Sequence, residues 1–301
     1  MNSLTTVLKI NQISKSYKNK KVLDEVTLQI PKGSIFGIIG PNGSGKTTLL
    51  GIVLDLIKAD SGQFKWINTK DTGEFDKKRI GALIETPNFY PYLTAENNLK
   101  IVAGIKQSTG REIDEVLEQV NLADYKKNAF GTFSLGMKQR LAIASCLIGD
   151  PDILIFDEPT NGLDPSGIAD IRDLIKKMQE NGKTVIISSH LLDEIEKICT
   201  HVMILNKGKL LVTGKANDVF NDSEFIEIGG PDLDRLFYEL KKFPGINNLI
   251  RDGLVIKVFF SQGADAEGLF LFCIEKGIRL NHLRACKNSL ESSFFQLLNT
   301  I

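Results

Sequence analysis

The sequence predicts an α/β fold: a mostly parallel sheet covered by helices on both faces, with a small antiparallel sheet before it and a separate α+β unit after it. Three observations carry this. The short apolar runs SIFGIIG, ILIF and TVIIS suit strands buried on both faces, and helical patterns separate them. The opening residues alternate with period two, as a half-exposed strand does. Near Asn221 the pattern changes, and at 301 residues the chain exceeds what one core usually holds. The expected domains are therefore residues 1–221 and 222–301.

Composition narrows the function. Thirty-seven basic residues are cancelled by 37 acidic ones, so there is no electrostatic footprint for nucleic acid, and none is expected as a partner. No apolar run approaches the roughly 20 residues that span a bilayer, and the start MNSLTTVLKINQ lacks the pattern of a signal peptide. A cytoplasmic chain is expected. Cys146, Cys199, Cys273 and Cys286 are widely spaced without a CxxC pair, which suits packing in a reducing compartment better than disulfides or zinc.

Taken in order, VLKINQISKSY and KVLDEVTLQI read as antiparallel strands joined by the basic turn KNKK. SIFGIIG enters a glycine loop, and TTLLGIVLDLIKAD continues with helical spacing until Ser61-Gly62 stops it. REIDEVLEQVN places Ile113, Val116, Leu117 and Val120 on one helical face, and MKQRLAIASCLIG forms another helix ended by Gly149-Asp150-Pro151. ILIF and TVIIS flank the helix GIADIRDLIKKMQENG. Beyond Asn221 come the strand EFIEI, a helix through DLDRLFYELKKF, the strands NNLIRDG and LVIKVFF, a helix AEGLFLFCIEKG, the strand IRLNHLRAC and a short helix SLESSFFQLLN. This last part carries no catalytic constellation.

GPNGSGKTT, residues 40–48, fits GxxxxGK[ST] and lies between a buried strand and a helix, where phosphate binding needs it. Gly40, Gly43 and Gly45 let the backbone curl through Pro41, Asn42 and Ser44 so that N–H groups point inward, and the helix N-terminus adds its positive end. Lys46 can reach the β- and γ-phosphates of ATP, and the Thr47 hydroxyl can ligate Mg²⁺. Thr48 belongs on the same side.

ILIFDEPTNGLDP then ends a buried strand on Asp157 and Glu158. Adjacent carboxylates at the edge of a dry core are costly unless a cation or a proton relieves them. With Mg·ATP in the loop, Asp157 is suited to the magnesium side and Glu158 to polarising the attacking water. An isolated Asp-Glu pair would read as a cap or turn; beside a phosphate loop that reading recedes. In FSLGMKQR, Ser134 and Gly136 precede a helix and form a second anion-receptive terminus. Two half-sites in one chain imply two chains.

These motifs, in this order over residues 4–220, together with ISSHLLDEIEKIC, resemble the ATP-binding subunits of ABC transporters. The resemblance implies a P-loop NTPase fold of the ABC ATPase type, with a small antiparallel β subdomain, a helical subdomain and an added C-terminal α+β domain. It implies Asp157 as the magnesium-side acid, Glu158 as catalytic base and His190 as the γ-phosphate switch. Ser134 and Gly136 would press on the partner's nucleotide, Asp164 would belong to the loop that touches the opposite subunit, and Tyr17 would stack on adenine. His201 and His282 are read as structural.

Two positions depart from the family pattern. Leu135 replaces one glycine of the signature pair, and Glu85 replaces a glutamine at the loop that senses magnesium and touches the membrane partner. Glutamate at that position resembles the bacitracin and lantibiotic resistance subgroup, whose ATPases also carry a C-terminal extension. The implied protein hydrolyses ATP and drives export through a separately encoded permease. It works as a homodimer or with a paralogous ATPase, held at the inner face of the membrane by that permease. A soluble ATPase acting on ribosomes or DNA, and an ATP-sensing module served by the C-terminal unit, are the alternatives. A small-molecule kinase would have no use for FSLGMKQR.

Overall fold

The computed structural model describes residues 5–67, 75–84, 88–219, 224–260 and 266–287. Its chain forms two compact units, Met1–Val219 and Phe220–Ile301.

In the first unit, β1 (Thr6–Tyr17) and β2 (Lys20–Pro31) pair antiparallel. The turn between them is only Lys18 and Asn19, with Lys18 at φ 53°, so two of the four residues read as turn belong to β2. After β3 (Ile35–Ile39) comes α1 (Lys46–Val53), and then β4 (Ser61–Trp66), which adds to the other edge of β1. Here the sequence reading needs correction. The helix ends at Val53, not at Ser61: Leu56 N and Ile57 N both return to the Gly51 carbonyl, Asp55 takes φ 58°, and Ile57 packs over Gly51. An apolar residue after the last turn thus seals the end as a helix C-cap does, and Ser61-Gly62 opens a strand.

The chain continues through β5 (Ile80–Leu83), α2 (Ala95–Lys106), α3 (Ile113–Gln119), α4 (Leu135–Leu147), β6 (Ile153–Asp157), α5 (Pro165–Glu180), β7 (Thr184–Ser189), α6 (Leu192–Ile198), β8 (His201–Asn206), β9 (Lys209–Lys215) and α7 (Ala216–Val219). The main sheet has the order β5-β6-β7-β3-β8-β9, parallel except for β9. Every residue of β3, β6 and β7 is buried, which is why these segments read as unbroken apolar runs. One core joins Leu49, Leu50, Ile52 and Val53 of α1 to Phe36, Ile38, Ile155 and Ile186 of the sheet and to Ile13 and Leu23 of the antiparallel layer. Helix α5 buries Ile171, Leu174, Ile175 and Met178. Against β3, α6 comes so near that a Cβ on Gly37 would lie 2.8 Å from Cys199 Sγ.

The second unit runs β10 (Glu224–Gly229), α8 (Leu233–Leu240), β11 (Ile246–Asp252), β12 (Val255–Phe260), α9 (Ala266–Glu275) and β13 (His282–Lys287). Its sheet has the order β11-β12-β10-β13 and is wholly antiparallel, a ferredoxin-like βαββαβ arrangement. Ile226, Ile228, Ile256 and Val258 of the two central strands share a core with Leu236, Leu240, Leu269 and Cys273 of the helices. The expected helix SLESSFFQLLN lies outside the described residues.

Candidate active site

The site lies at the carboxyl ends of β3, β6 and β7, where loops leave a parallel sheet and ligands bind in such folds. The glycine loop leaves β3 and folds as its composition requires. Gly45 caps α1 at φ 110°, with no side chain capping the first turn, so the N–H groups at this helix end face outward as anion donors. At Gly40 a Cβ would sit 2.2 Å from the Leu205 carbonyl oxygen, so only glycine fits. The buried Ser44 hydroxyl has no hydrogen-bond partner. An orphaned hydroxyl inside an N–H cradle is the donor set a phosphate oxygen would satisfy.

Lys46 is 6% exposed, and its Nζ donates to the carbonyls of Gly40 at 2.8 Å and Pro41 at 3.3 Å. It also lies 3.2 Å from Glu158 Oε1, an ion pair without hydrogen-bond geometry. Thr47 Oγ1 donates to Asp157 Oδ2 at 2.6 Å. The other oxygen of Asp157 accepts from the Ser188 hydroxyl. His190 Nδ1 is 2.7 Å from Glu158 Oε2, and against an ionised carboxylate, which only accepts, Nδ1 is the donor.

The crowding of two carboxylates at one strand end is thereby resolved. Hydroxyls hold Asp157, while a lysine and a histidine hold Glu158. Glu158 also adopts φ 48°, uncommon for a residue other than glycine, and its N–H is tied to the Ser188 carbonyl at 3.2 Å and the Ser188 hydroxyl at 3.0 Å. Strain of this kind collects at functional sites. Sequence reasoning missed Ser188, which grips both acids. The pair of serines before His190, at the end of a strand adjacent to β6, was the signal that could have found it.

The remaining candidates are spread more widely. Tyr17 ends β1 with 47% of its surface exposed and Lys15 Nζ 5.6 Å from its ring centre. Ser134 caps α4 through Met137 N at 3.3 Å, and Gly136 lies within the first turn of that helix, not before it as the sequence reading had it. Asp164 caps α5, accepting from Gly167 N at 3.0 Å and Ser166 Oγ at 3.1 Å. Glu85 lies outside the described residues.

Of the histidines read as structural, burial lowers the pKa of His201, and His282 Nε2 is 3.5 Å from Glu227 Oε2. Burial pushes the thiols of Cys146 and Cys273 up to about 11 and that of Cys199 higher still, so these are packing residues with little thiolate at neutral pH. No group of three or more metal-binding side chains occurs among the described residues. Thr47 and Asp157 nevertheless form the sparse all-oxygen set that suits Mg²⁺ completed by phosphates and water.

Fold and site together define a nucleoside-triphosphate-hydrolysing domain built on a phosphate loop. The ABC transporter family model matches residues 23–161. The chain is 42% identical to the uncharacterized ABC transporter ATP-binding protein YhcH of Bacillus subtilis, over 98% of this chain and 96% of that one. It is 37% identical to the bacitracin transport ATP-binding protein BcrA of Bacillus licheniformis, over 98% of both. Among solved structures it is similar to the dimeric post-hydrolysis state of the ATP-binding cassette MJ0796 bound to ADP and Pi, at 29% identity and TM-score 0.60, covering 69% of this chain and 98% of that one. The chain belongs to the ABC transporter ATP-binding proteins: it is the subunit that binds and hydrolyses ATP.

Proposed function

We propose that two copies of this chain, or one copy and a paralogous ATPase, close on two ATP molecules and reopen as these are hydrolysed, driving export through a separately encoded membrane permease. The observation that carries the reading is the convergence of Lys46, Thr47, Asp157, Glu158 and His190 at one end of the sheet. Each nucleotide lies between the Gly40–Thr48 loop of one chain and the Ser134–Gly136 segment of the other. Similarity to a cassette described as dimeric supports the pairing.

Lys46 and the hydroxyl of Ser44 hold phosphate oxygens, and Tyr17 stacks on the adenine. Thr47 and Asp157 would hold a magnesium ion, and Glu85 belongs to the same proposed set. Bound there, the ion would neutralise phosphate charge. Glu158 takes the proton of the attacking water, and the Nδ1–H of His190 keeps that carboxylate aimed while the histidine responds to the γ-phosphate. Asp164 contributes to the contact with the opposite chain. The segment around Glu85 to Tyr92 meets the permease, which holds the ATPase at the inner face of the membrane, and residues 222–301 form an accessory domain. Similarity to BcrA supports cargo of the bacitracin type.

Glu158→Gln tests the reading. The amide keeps the shape but cannot accept the proton, so turnover falls by about 10²–10⁴-fold while ATP still binds, and size-exclusion chromatography with ATP shows a trapped dimer. Hydrolysis at the wild-type rate would mean that another group is the base.

A further inference from the structure

Tyr17 is the last residue of β1, beyond the point where that strand leaves β4. The pairing of β1 with β4 ends at Ser14 opposite Ser61, so Lys15, Ser16 and Tyr17 run on with β2 as their paired strand. Asp60, the residue before β4, fills the other edge. Its N–H donates to the Ser14 carbonyl at 2.9 Å. Its carboxylate makes two further contacts: Oδ2 accepts from Ser16 N at 2.6 Å and Oδ1 from Lys15 Nζ at 2.8 Å. One side chain thus stands in for the strand that has ended, and it holds the backbone immediately before Tyr17.

The Lys15 ammonium also lies over the Tyr17 ring, 5.6 Å from its centre and within the range of cation–π attraction. The lysine side chain is only 16% exposed, although 47% of Tyr17 is open to solvent. A surface lysine ordinarily keeps its rotamer freedom, and an exposed ion pair contributes little. Here the ammonium is held from two directions, by a carboxylate and by a ring. The hydrogen bonds from Lys15 and from the Ser16 N–H keep the Asp60 carboxyl below its ordinary range, so it stays ionised.

We propose that Asp60 is a positioning residue for nucleotide recognition: it holds Lys15 against one face of Tyr17, and fixes the strand end that carries the ring, so that the other face is set for the base. The inference rests on the reading of Tyr17 as the adenine platform. An aromatic ring offers two faces, and a cation on one leaves the other for stacking. A ring that must be ordered when the base arrives weakens binding, whereas one already held does not. In this role Asp60 acts through Lys15 and Ser16, without touching the nucleotide.

The test uses the full chain carrying Asp60→Asn, which keeps the size of the side chain and removes the charge that holds Lys15. ATP affinity is measured by isothermal calorimetry, and steady-state hydrolysis gives KM and kcat separately. Asp60→Asn is expected to weaken ATP binding about fivefold, a part of what a base–aromatic stack contributes. KM should rise in step while kcat stays within about twofold, as when an interaction common to ground and transition states is lost. In a Tyr17→Ala background the same change is expected to cost less than about twofold, because both positions act through one ring. Lys15→Met, which keeps the apolar stem and removes the ammonium, should reproduce the loss.

Unchanged ATP affinity in Asp60→Asn overturns the inference. So does an equal loss in the Tyr17→Ala background, since Asp60 would then act on the fold and not through the ring. If Tyr17→Ala alone binds ATP as tightly as the wild type, the adenine-platform reading fails, and the inference with it. Should Asp60→Asn not fold, Lys15→Met is read by the same criteria.

Discussion

At the scale of single residues, the site is an arrangement of compensated charges. Lys46 is almost wholly buried and its three nearest acceptors are two carbonyls and Glu158, so removing its ammonium group affects both ligand and protein. Lys46→Ala should weaken ATP binding by about 2–3 kcal/mol, roughly a hundredfold, as loss of a charge-assisted contact does. Isothermal calorimetry with unchanged affinity would refute its assignment. Glu96 offers a second residue-scale prediction. Hydrogen bonds from Lys100 and Lys127, with Lys126 nearby, hold its carboxyl at about 2, against an ordinary 4.5. Because the folded pKa is depressed, the stabilisation is present above pH 4.5 and is lost as pH falls toward 2. Acid unfolding followed by circular dichroism should therefore be less steep across that window in Glu96→Gln.

At the scale of elements, α2 and α4 are joined by one side chain. Lys106, at the end of α2, donates to the carbonyls of Ser145 at 3.1 Å, Cys146 at 3.0 Å and Ile148 at 2.9 Å, satisfying the carbonyl end of α4. A cation at a helix C-terminus also meets the negative end of the dipole. Desolvation by burial lowers the pKa of Lys106. Lys106→Met keeps the apolar stem and removes the donors, so it should cost about 2–3 kcal/mol, read as a lower midpoint in urea with an unchanged slope. From the sequence nothing singles out Lys106, and the helix it ends was not read there. Its acceptors lie 39, 40 and 42 positions away, and local pattern carries no information about such pairs.

Legibility varied from element to element for the same reason. The buried strands β3, β6 and β7 were plain because a strand covered on both faces must be apolar throughout. The overlong α1 arose because Leu54, Leu56 and Ile57 continue a helical spacing, while the fold of Ile57 back onto Gly51 is a contact across the turn. The signature start was misplaced by two residues, since Ser134 caps through Met137 and draws Leu135 and Gly136 into the helix.

At the scale of the whole molecule, each unit has its own apolar cluster. Deleting residues 222–301 is accordingly expected to leave a folded, ATP-hydrolysing chain with a rate within about threefold of the full protein, since a unit with its own core can fold alone. Loss of the thermal transition of the first unit would show that it depends on the second. Among the described residues no helix is long and apolar enough to cross a membrane.

By itself, the sequence determined the chemistry available: a glycine loop between buried strand and helix, two acids at a strand end, and a histidine after another buried strand. These are legible because phosphate cradles and buried strands impose residue types at fixed local spacing. Only the tertiary structure decided which groups meet. Thr47 reaches Asp157 across 110 positions, and Ser188 and His190 reach the two acids across about 30. Those contacts depend on the order of strands in the sheet, and strand order is set by how the whole core packs.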